Sequence, residues 1–317
     1  MSLDHLAIVI IGRNEGARFL TCLEALPKGV SQVIYVDSGS TDGSIEAARE
    51  YGAEVVDLDR GRPFTAARAR NAGIARIDGA ELVQFLDGDC ALREGWIDAA
   101  VARLKADEGL AVVCGRRRER FPEASVFNRL CDAEWDTPIG PALACGGDAM
   151  MRVEALRAVD GYNGDLIAGE EPELCVRLRA AGWRIERLDA EMTWHDAAMT
   201  RFGQWWTRSK RAGHAFAEGA ALHGAPPEQH WVRETRRALL GGAVLPVVIL
   251  GAFLVSPWLG VILALAYPAQ VVRLGLRDGD WTRAMFIVLG KFAEAQGALG
   301  YYLSRLRGRK QSLVEYK

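Results

Sequence analysis

The feature that most constrains this chain is a long uncharged run near its carboxyl end. No Asp, Glu, Lys or Arg occurs from Leu240 to Val272, and prolines at 246, 257 and 268 interrupt the run. A membrane-spanning helix needs about 20 apolar residues, so the run is too long for one straight span. The pattern predicts a tight helical hairpin over about 239–272, with arms near 239–255 and 258–272.

Two alternatives to a spanning hairpin stay open. Each predicted arm is at the short limit for crossing a bilayer, so a re-entrant pair is also compatible with the sequence. A buried helical pair in a soluble domain is the other alternative, although such a pair normally shows a polar face.

Basic residues flank the apolar run on both sides: Arg233, Arg236 and Arg237 precede it, and Arg273 and Arg277 follow it. Positive charge is typical of cytoplasmic segments next to membrane helices. Both ends of the hairpin are therefore predicted to lie in the cytoplasm. This places the chain at the inner (cytoplasmic) membrane, with its larger amino-terminal domain facing the cytoplasm.

A third helical pattern covers about 281–306, with apolar residues that include Phe286, Phe292 and Leu299 on one side and a basic end. Such a helix commonly lies along an anionic membrane surface, but it could instead pack on the preceding domain. The sequence thus predicts two parts, a domain over 1–232 and a membrane-associated helical region over 233–317.

The first 230 residues alternate between short apolar runs and helical stretches. The predicted strands are 7–11, 33–36, 54–58, 82–86 and 110–114, and the predicted helices include 17–26, 45–51, 64–77 and 96–105. This alternation predicts an α/β fold with a mainly parallel sheet and helices on both faces. Ligands in such folds bind beyond the carboxyl ends of the strands.

Polar and glycine-rich loops follow three of these strands, reading "GRNE" from Gly12, "DSGSTDGS" from Asp37 and "DGD" from Asp87. Asp37 directly follows its strand, where its carboxylate could accept a hydrogen bond from a nucleobase. A capped turn is the structural alternative for this loop. Taken together, the three loops predict a binding site at one edge of the sheet.

The "DGD" loop sets two carboxylates, Asp87 and Asp89, on either side of one glycine. Like charges this close raise each other's pKa unless water or a cation compensates them. Carboxylates are suitable ligands for a hard divalent cation, so the loop predicts a Mg²⁺ or Mn²⁺ site. Such an ion can bridge the phosphates of a nucleotide.

Charge and cysteine content narrow the range of partners. The net charge is −2, and no basic stripe runs along the chain, so nucleic acid is not an expected partner. The six cysteines have no metal-ligand spacing and lie mostly in apolar runs, which predicts reduced thiols in the core.

From about residue 6 to 198 the chain resembles the family 2 glycosyltransferases, enzymes of the GT-A fold. Six segments occur in the family's order: "IVIIGRNE", "VDSGSTDGS", "ARNAGI", "FLDGDC", "ACGGDAMMRVEAL" and "GEEPELCVRLRAAGWRI". The resemblance implies that Asp37 contacts the nucleobase, that Glu15 lies at the nucleotide and that Arg70 lies near the donor phosphates. Ile11, Gly12 and Ser38 depart from the family's usual residues, which leaves the donor nucleotide open.

The resemblance also implies a metal site and a catalytic base. Asp87 and Asp89 match the metal-binding pair, and His195 in "TWHDAAM" is the candidate to complete the shell, although a structural histidine is the alternative. Glu171 stands where the family usually has the Asp that acts as general base. A carboxylate at a helix N-terminus is the structural alternative for Glu171.

The implied reaction is transfer of a sugar, with inversion, from a nucleotide-diphospho-sugar to a hydroxyl of a membrane-borne glycan or a lipid-linked acceptor. A polyprenyl-phosphate glycosyltransferase is the nearest alternative. A phosphate acceptor needs no general base, so Glu171 would then be dispensable. A non-catalytic membrane scaffold with the same fold is a third hypothesis. A nucleotidyltransferase is disfavoured, because the chain has no glycine-rich phosphate loop at its start.

Overall fold

The computed structural model describes residues 3–59 and 61–308 of the 317-residue chain. The chain divides into two compact units between Thr200 and Arg201. The predicted boundary at residue 232 therefore falls inside the second unit. Residues 309–317, the last part of the predicted helical region, lie outside the described residues.

The described residues of the first unit form nine strands: β1 (Leu3–Gly12), β2 (Val30–Asp37), β3 (Glu54–Asp57), β4 (Leu82–Asp87), β5 (Cys90–Leu92), β6 (Leu110–Glu119), β7 (Gly140–Ala142), β8 (Ala149–Arg152) and β9 (Arg184–His195). They form one sheet in the order β3-β2-β1-β4-β8-β6-β9-β5, with β7 also paired to β9. Alternating strands and helices were predicted from the sequence, and the α/β class is confirmed.

In the part of this unit that the structure describes, seven α-helices accompany the sheet: α1 (Ala17–Glu24), α2 (Ser44–Tyr51), α3 (Ala66–Ile74), α4 (Trp96–Lys105), α5 (Val126–Glu134), α6 (Val153–Ala158) and α7 (Glu170–Ala180). A 3-10 turn at Pro122–Ala124 precedes α5. The helices that connect the first strands allow those strands to run in parallel.

The sheet is mixed but mostly parallel. Pairings of β1 with β2 and β4, of β2 with β3 and of β6 with β9 are parallel, whereas β8 is antiparallel to both β4 and β6. The short strands β5 and β7 are antiparallel to β9. Six strands therefore point one way, and their carboxyl ends meet at one edge.

Register brings the predicted loops together at this edge. Gly12 at the end of β1 is level with Asp37 on β2, and Ile11 is level with Asp87 on β4. At the far end of the sheet, Cys90 on β5 is level with His195 on β9. This last pairing explains why residues more than a hundred positions apart in sequence become neighbours.

The core of the first unit lies around the central strands. Residues 6–10 of β1 and 110–113 of β6 are almost completely buried, as parallel strands covered on both faces should be. All six cysteines are buried and free, as the sequence predicted.

The second unit is helical. Its elements are α8 (Phe202–His223), α9 (Val232–Leu239), a π-helical turn (Leu240–Val244), α10 (Leu245–Val255), α11 (Pro257–Ala264), α12 (Ala266–Asp278) and α13 (Trp281–Leu306). The predicted boundary at 232 coincides with the first residue of α9. Helix α13 coincides with the predicted helix at 281–306.

Two continuous helices form the predicted hairpin, but both are longer than the sequence indicated. They run from Val232 to Val255, 24 residues, and from Pro257 to Asp278, 22 residues, and each is long and apolar enough to cross a membrane. Only 17% of the most apolar window in each helix is buried, which is unlike the core helix of a soluble protein. Leu254, Val255 and Trp258 at the turn are more than three-quarters exposed.

Close packing of α3 on β1 generates a prediction about stability. A Cβ atom on Gly73 would lie 2.3 Å from Cγ1 of Val9, and a β-branched neighbour cannot easily move aside. Gly73→Ala should therefore destabilise the protein by about 1–3 kcal/mol. Gly146→Ala is the control, because no atom lies within 4 Å of the position of its Cβ.

Thermal or denaturant unfolding of the detergent-solubilised chain measures both variants. Equal stability of Gly73→Ala and Gly146→Ala would show that α3 is not packed tightly against β1.

Candidate active site

Arg70 on α3 lies at the centre of the candidate site and is 2% exposed. Its guanidinium donates to Oδ1 of Asp87 at 2.9 Å and to Oε1 of Glu170 at 3.1 Å, and it lies 2.8 Å from Oε1 of Glu171. The ring of Tyr162 lies 5.6 Å from the same guanidinium. One buried cation thus joins α3, the end of β4 and the start of α7.

The backbone beside this ion cluster needs a glycine. A Cβ atom on Gly147 would lie 2.5 Å from Nη2 of Arg70 and 3.0 Å from Oδ2 of Asp87. Any side chain here would push apart the charged groups. The "CGGD" segment therefore contributes space as well as a carboxylate to the site.

A second arginine, Arg117 on β6, contacts the other oxygen of Asp87. It donates to Oδ2 of Asp87 at 3.3 Å and lies 2.8 Å from Oδ2 of Asp148. Burial raises the pKa of Asp87, but Arg70 and Arg117 outweigh it and hold that pKa below its usual value. Asp87 is therefore an anion held between two cations.

Asp148, which directly precedes β8, supports this arrangement and is fully buried. Its carboxylate accepts hydrogen bonds from the backbone N–H of Asp87 at 3.2 Å and from the hydroxyl of Thr193 at 2.8 Å. Sequence reasoning gave no role to Asp148 or Arg117. The signal for Asp148 was its place in the "ACGGDAMM" segment, whereas Arg117 is one of three consecutive arginines and had no distinguishing mark.

Asp89 and His195 meet at a separate point of the same edge. Nε2 of His195 lies 3.4 Å from Oδ2 of Asp89, and both side chains are at least 90% buried. Asp89, Cys90 and His195 offer ligand atoms within 4.8 Å of one another. Nδ1 of His195 has no hydrogen-bond partner among the described residues, and Oε2 of Glu119 lies 3.8 Å from it.

The predicted metal ligands are thus brought together only in part. Asp87 belongs to a different group, with Cys90 and Asp148, because Arg70 and Arg117 hold its two oxygens. A carboxylate and an imidazole are suitable ligands for Mn²⁺, and Nε2 of His195 faces Asp89 while its Nδ1 lies on the side of the Glu119 carboxylate, as in a metal-binding histidine whose other nitrogen is turned to an acid. The residues present fit a divalent cation at Asp89 and His195.

The rings of Trp135 and His195 meet edge to face with centroids 4.7 Å apart, so packing also holds the His195 side chain.

Glu171 lies in the first turn of α7, after Gly169, and its side chain is 13% exposed. Burial and then the Glu170 carboxylate raise the pKa of Glu171 to about 7, against the opposing charge of Arg70. A carboxylate with a pKa near 7 can take up a proton at neutral pH. The helix N-terminal interpretation also holds, because Glu170, Glu171 and Glu173 all lie in this first turn.

The loops after β1 and β2 are tied to each other. Oδ1 of Asn14 accepts from the N–H of Thr41 at 2.7 Å, and Oδ2 of Asp42 accepts from the N–H of Gly16 at 2.7 Å. Glu15, between these contacts, pairs with Arg18 at 2.7 Å. The two loops therefore form one polar wall beside the ion cluster.

Asp37 is fully buried and shapes its own loop. Its Oδ2 accepts from the N–H groups of Gly39 and Ser40 at 2.7 and 2.8 Å, and its Oδ1 accepts from the hydroxyl of Tyr35 at 3.1 Å. This is the capped turn that the sequence offered as an alternative. A contact of Asp37 with a nucleobase stays a prediction.

Comparisons with known proteins identify the family of this chain. The model of the family "Glycosyl transferase family 2" matches residues 7–158. An uncharacterized glycosyltransferase of Mycobacterium bovis is 30% identical over 194 residues, which cover 60% of this chain and 85% of the relative. The chain belongs to glycosyltransferase family 2. It is a glycosyltransferase.

Two further curated relatives align with different fractions of this chain. The succinoglycan biosynthesis protein ExoA of Rhizobium meliloti is 25% identical over 301 residues, covering 87% of this chain and 88% of ExoA. The glycosyltransferase AglE of Haloferax volcanii is 25% identical over 197 residues, or 58% of this chain. The chain spans 64% of the length of AglE.

Solved structures show the same fold. A mannosyltransferase of Pyrobaculum calidifontis, solved in complex with GDP-mannose and Mn²⁺, has a TM-score of 0.64 and 18% identity over 93% of this chain and 87% of its own. TarS of S. aureus has a TM-score of 0.53 and 14% identity over 98% of this chain and 92% of its own. The predicted GT-A fold is confirmed.

The ion cluster generates a prediction about Arg70. Arg70→Gln removes the cation that compensates three carboxylates, and loss of one partner of a buried ion pair typically costs about 3–5 kcal/mol. The loss of unfolding free energy should be smaller at pH 5.5 than at pH 7.5, because acid neutralises the unpaired carboxylates. Unfolding free energies at the two pH values measure it.

Arg76→Gln is the matched control. Arg76 follows α3, is 57% exposed and pairs with Glu54 at 3.6 Å, so its loss should cost at most about 1 kcal/mol at either pH. A loss for Arg70→Gln that is as small as this, or independent of pH, would contradict the account of the cluster.

Proposed function

We propose that this glycosyltransferase is metal-dependent and inverting, and that it moves a sugar from a nucleotide-diphospho-sugar to a hydroxyl of a membrane-borne glycan or glycolipid. The observation that carries the proposal is the joining of Glu171 to Asp87 through Arg70. This contact sets a candidate base and the "DGD" motif at one edge of the sheet, where α/β folds bind their ligands.

Asp89 and His195 are proposed to hold a Mn²⁺ or Mg²⁺ ion, with Asp87 as the third predicted ligand. When bound, the ion would supply positive charge to offset that of the departing nucleoside diphosphate. The mannosyltransferase of similar fold was solved with Mn²⁺, which supports the choice of ion. Glu15 and Asp37 are proposed to lie at the nucleotide, on the wall formed by the first two loops, and Arg70 is proposed to orient Asp87 and Glu171 beside the donor phosphates.

Glu171 is the proposed general base. It would take the proton of the acceptor hydroxyl as that oxygen forms a bond to the anomeric carbon and the bond from this carbon to the diphosphate breaks. A single displacement of this kind inverts the anomeric centre. The Glu171 pKa of about 7 suits the role of a general base, since about half of the protein molecules then carry an ionised Glu171 at neutral pH.

Exposed apolar side chains on the two long helices of the second unit support a membrane-borne acceptor. The location at the inner membrane with the first unit in the cytoplasm is proposed from the basic residues, which lie near the start of the first long helix and near the end of the second. The likeness to a protein named for succinoglycan biosynthesis supports a glycan as acceptor. We propose the catalytic domain as residues 1–232 and the membrane-associated region as 233–317.

A donor panel tests the metal and the reaction. Release of nucleoside diphosphate from one donor sugar is expected with Mn²⁺ and not with EDTA, and Asp89→Asn should abolish both this release and Mn²⁺ binding measured by electron paramagnetic resonance. Asp98→Asn, at an exposed carboxylate on α4, should change neither. Unchanged Mn²⁺ binding in Asp89→Asn would remove Asp89 from the metal site.

The pH profile tests the base. Transfer to a hydroxyl acceptor should rise from pH 6 to 8 with a midpoint near 7, because Glu171 must lose its proton to act. Glu171→Gln should lower kcat by at least about 100-fold, within the range that general bases contribute. Glu170→Gln should remain active with its midpoint shifted to lower pH, because the neighbouring charge that raises the pKa of Glu171 is then absent.

The Glu171→Gln variant and the wild type also separate the competing reactions. An active Glu171→Gln with polyprenyl phosphate as acceptor would favour the lipid-charging reaction, since a phosphate oxygen carries no proton to remove. Lack of donor binding or turnover in the wild type would favour a scaffold.

A further inference from the structure

The helical unit contains a cavity of about 550 Å³ that belongs to no part of the proposed reaction. Residues of α9, the π-helical turn, the start of α10, α12 and α13 line it. All of these elements lie within residues 232–306, so the cavity is a property of this unit by itself.

Four cations line the cavity: Arg237, Arg273, Arg277 and Lys291. No Asp or Glu is among the lining residues of the described chain. Four like charges around one small volume repel each other unless an anion compensates them. The charge of the lining thus favours an anionic ligand.

Two of the four cations already have acidic neighbours. Arg277 donates to Asp278 at 2.6 and 2.7 Å, and Nζ of Lys291 lies 2.5 Å from Oε2 of Glu294. Within the described ranges 3–59 and 61–308, Arg237 and Arg273 have no acidic partner. These two guanidiniums are therefore the ones available to a ligand, and a guanidinium binds phosphate oxygens in a bidentate manner.

The other part of the lining is apolar and includes Leu240, Leu245 and Ile287. Leu240 and Leu245 belong to the uncharged run that starts one turn after Arg237. The hydroxyl of Tyr267 donates to the carbonyl of Gly241 at 2.7 Å, which shows that the two long helices lie side by side here. Arg237 and Arg273 are consequently at the same end of the hairpin, where its charged part meets its apolar part.

We propose that this cavity binds the phosphate group of an anionic membrane lipid. Arg237 and Arg273 contact the phosphate, and the chain of the lipid lies along Leu240 and Leu245 toward the apolar run. Cations at the end of an apolar helix pair are the ordinary arrangement for an anionic headgroup. The inference rests on the membrane association that is part of the proposed function, but it does not depend on the sugar-transfer reaction.

Native mass spectrometry of the full chain in neutral detergent tests the proposal. Phosphatidylglycerol, a short-chain polyprenyl phosphate, phosphatidylcholine and inorganic phosphate are added separately, without donor sugar. Wild type should retain at least one of the two anionic lipids more strongly than phosphatidylcholine or inorganic phosphate. The anionic lipid that is retained more strongly identifies the source of the phosphate.

Arg237→Gln and Arg273→Gln should each weaken retention about five-fold, as expected for loss of one cation at a membrane surface. Arg236→Gln is the matched control, because Arg236 is an exposed cation on the same helix and does not line the cavity. Arg237→Lys, which keeps the charge, should retain more lipid than Arg237→Gln.

Equal weakening by Arg236→Gln and Arg237→Gln would overturn the proposal, because the effect would then be general charge rather than a site. Equal retention of phosphatidylcholine and the anionic lipids, or inorganic phosphate binding as strongly as either lipid, would also overturn it. A protein that retains lipid but releases no nucleoside diphosphate from any donor would leave this inference standing and reject the proposed function.

Discussion

Burial of the Arg70 guanidinium among Asp87, Glu170 and Glu171 is the interaction on which the rest of the site depends. A cation removed from water is unfavourable unless anions and hydrogen bonds compensate it, and the same holds for each of the three carboxylates. Removal of the cation would therefore leave buried carboxylates without the charge that compensates them. Because Glu170 lies one hundred residues after Arg70, this mutual requirement fixes the start of α7 against α3 and the end of β4.

The same electrostatics give the two carboxylates of the "DGD" motif different environments. Asp87 lies between Arg70 and Arg117, which keep it ionised and hold both of its oxygens. Asp89 turns instead toward His195, whose strand pairs with β5 at Cys90. Their separation by a single glycine thus produces one carboxylate that pairs with two arginines and one that faces His195. Asp148 keeps the first of these in position through the backbone of Asp87.

Sequence reasoning was reliable where the signal was local. The strand-end loops follow from short patterns, because Asp37 and Asp87 are the last residues of β2 and β4. The positions of Glu15, Arg70 and Glu171 were marked by the family's motifs, which are also short. The antiparallel part of the sheet was not predicted, since β5, β7 and β8 have only three or four residues each and give too few positions to show alternation. Arg117 and Asp148 were missed because their roles depend on pairing across strands, which no local pattern records.

The length of the two hairpin helices was underestimated for a different physical reason. Counting uncharged residues ends each arm at its first arginine, but a helix continues through charged residues whose long side chains reach water. The 24-residue arm spans about 36 Å at 1.5 Å per residue, more than the hydrocarbon core of about 30 Å. Arg237 and Arg273 are therefore parts of the two helices rather than of flexible flanks. Cations fixed on helices can line a defined cavity, whereas cations on a flank can only add to a diffuse positive charge.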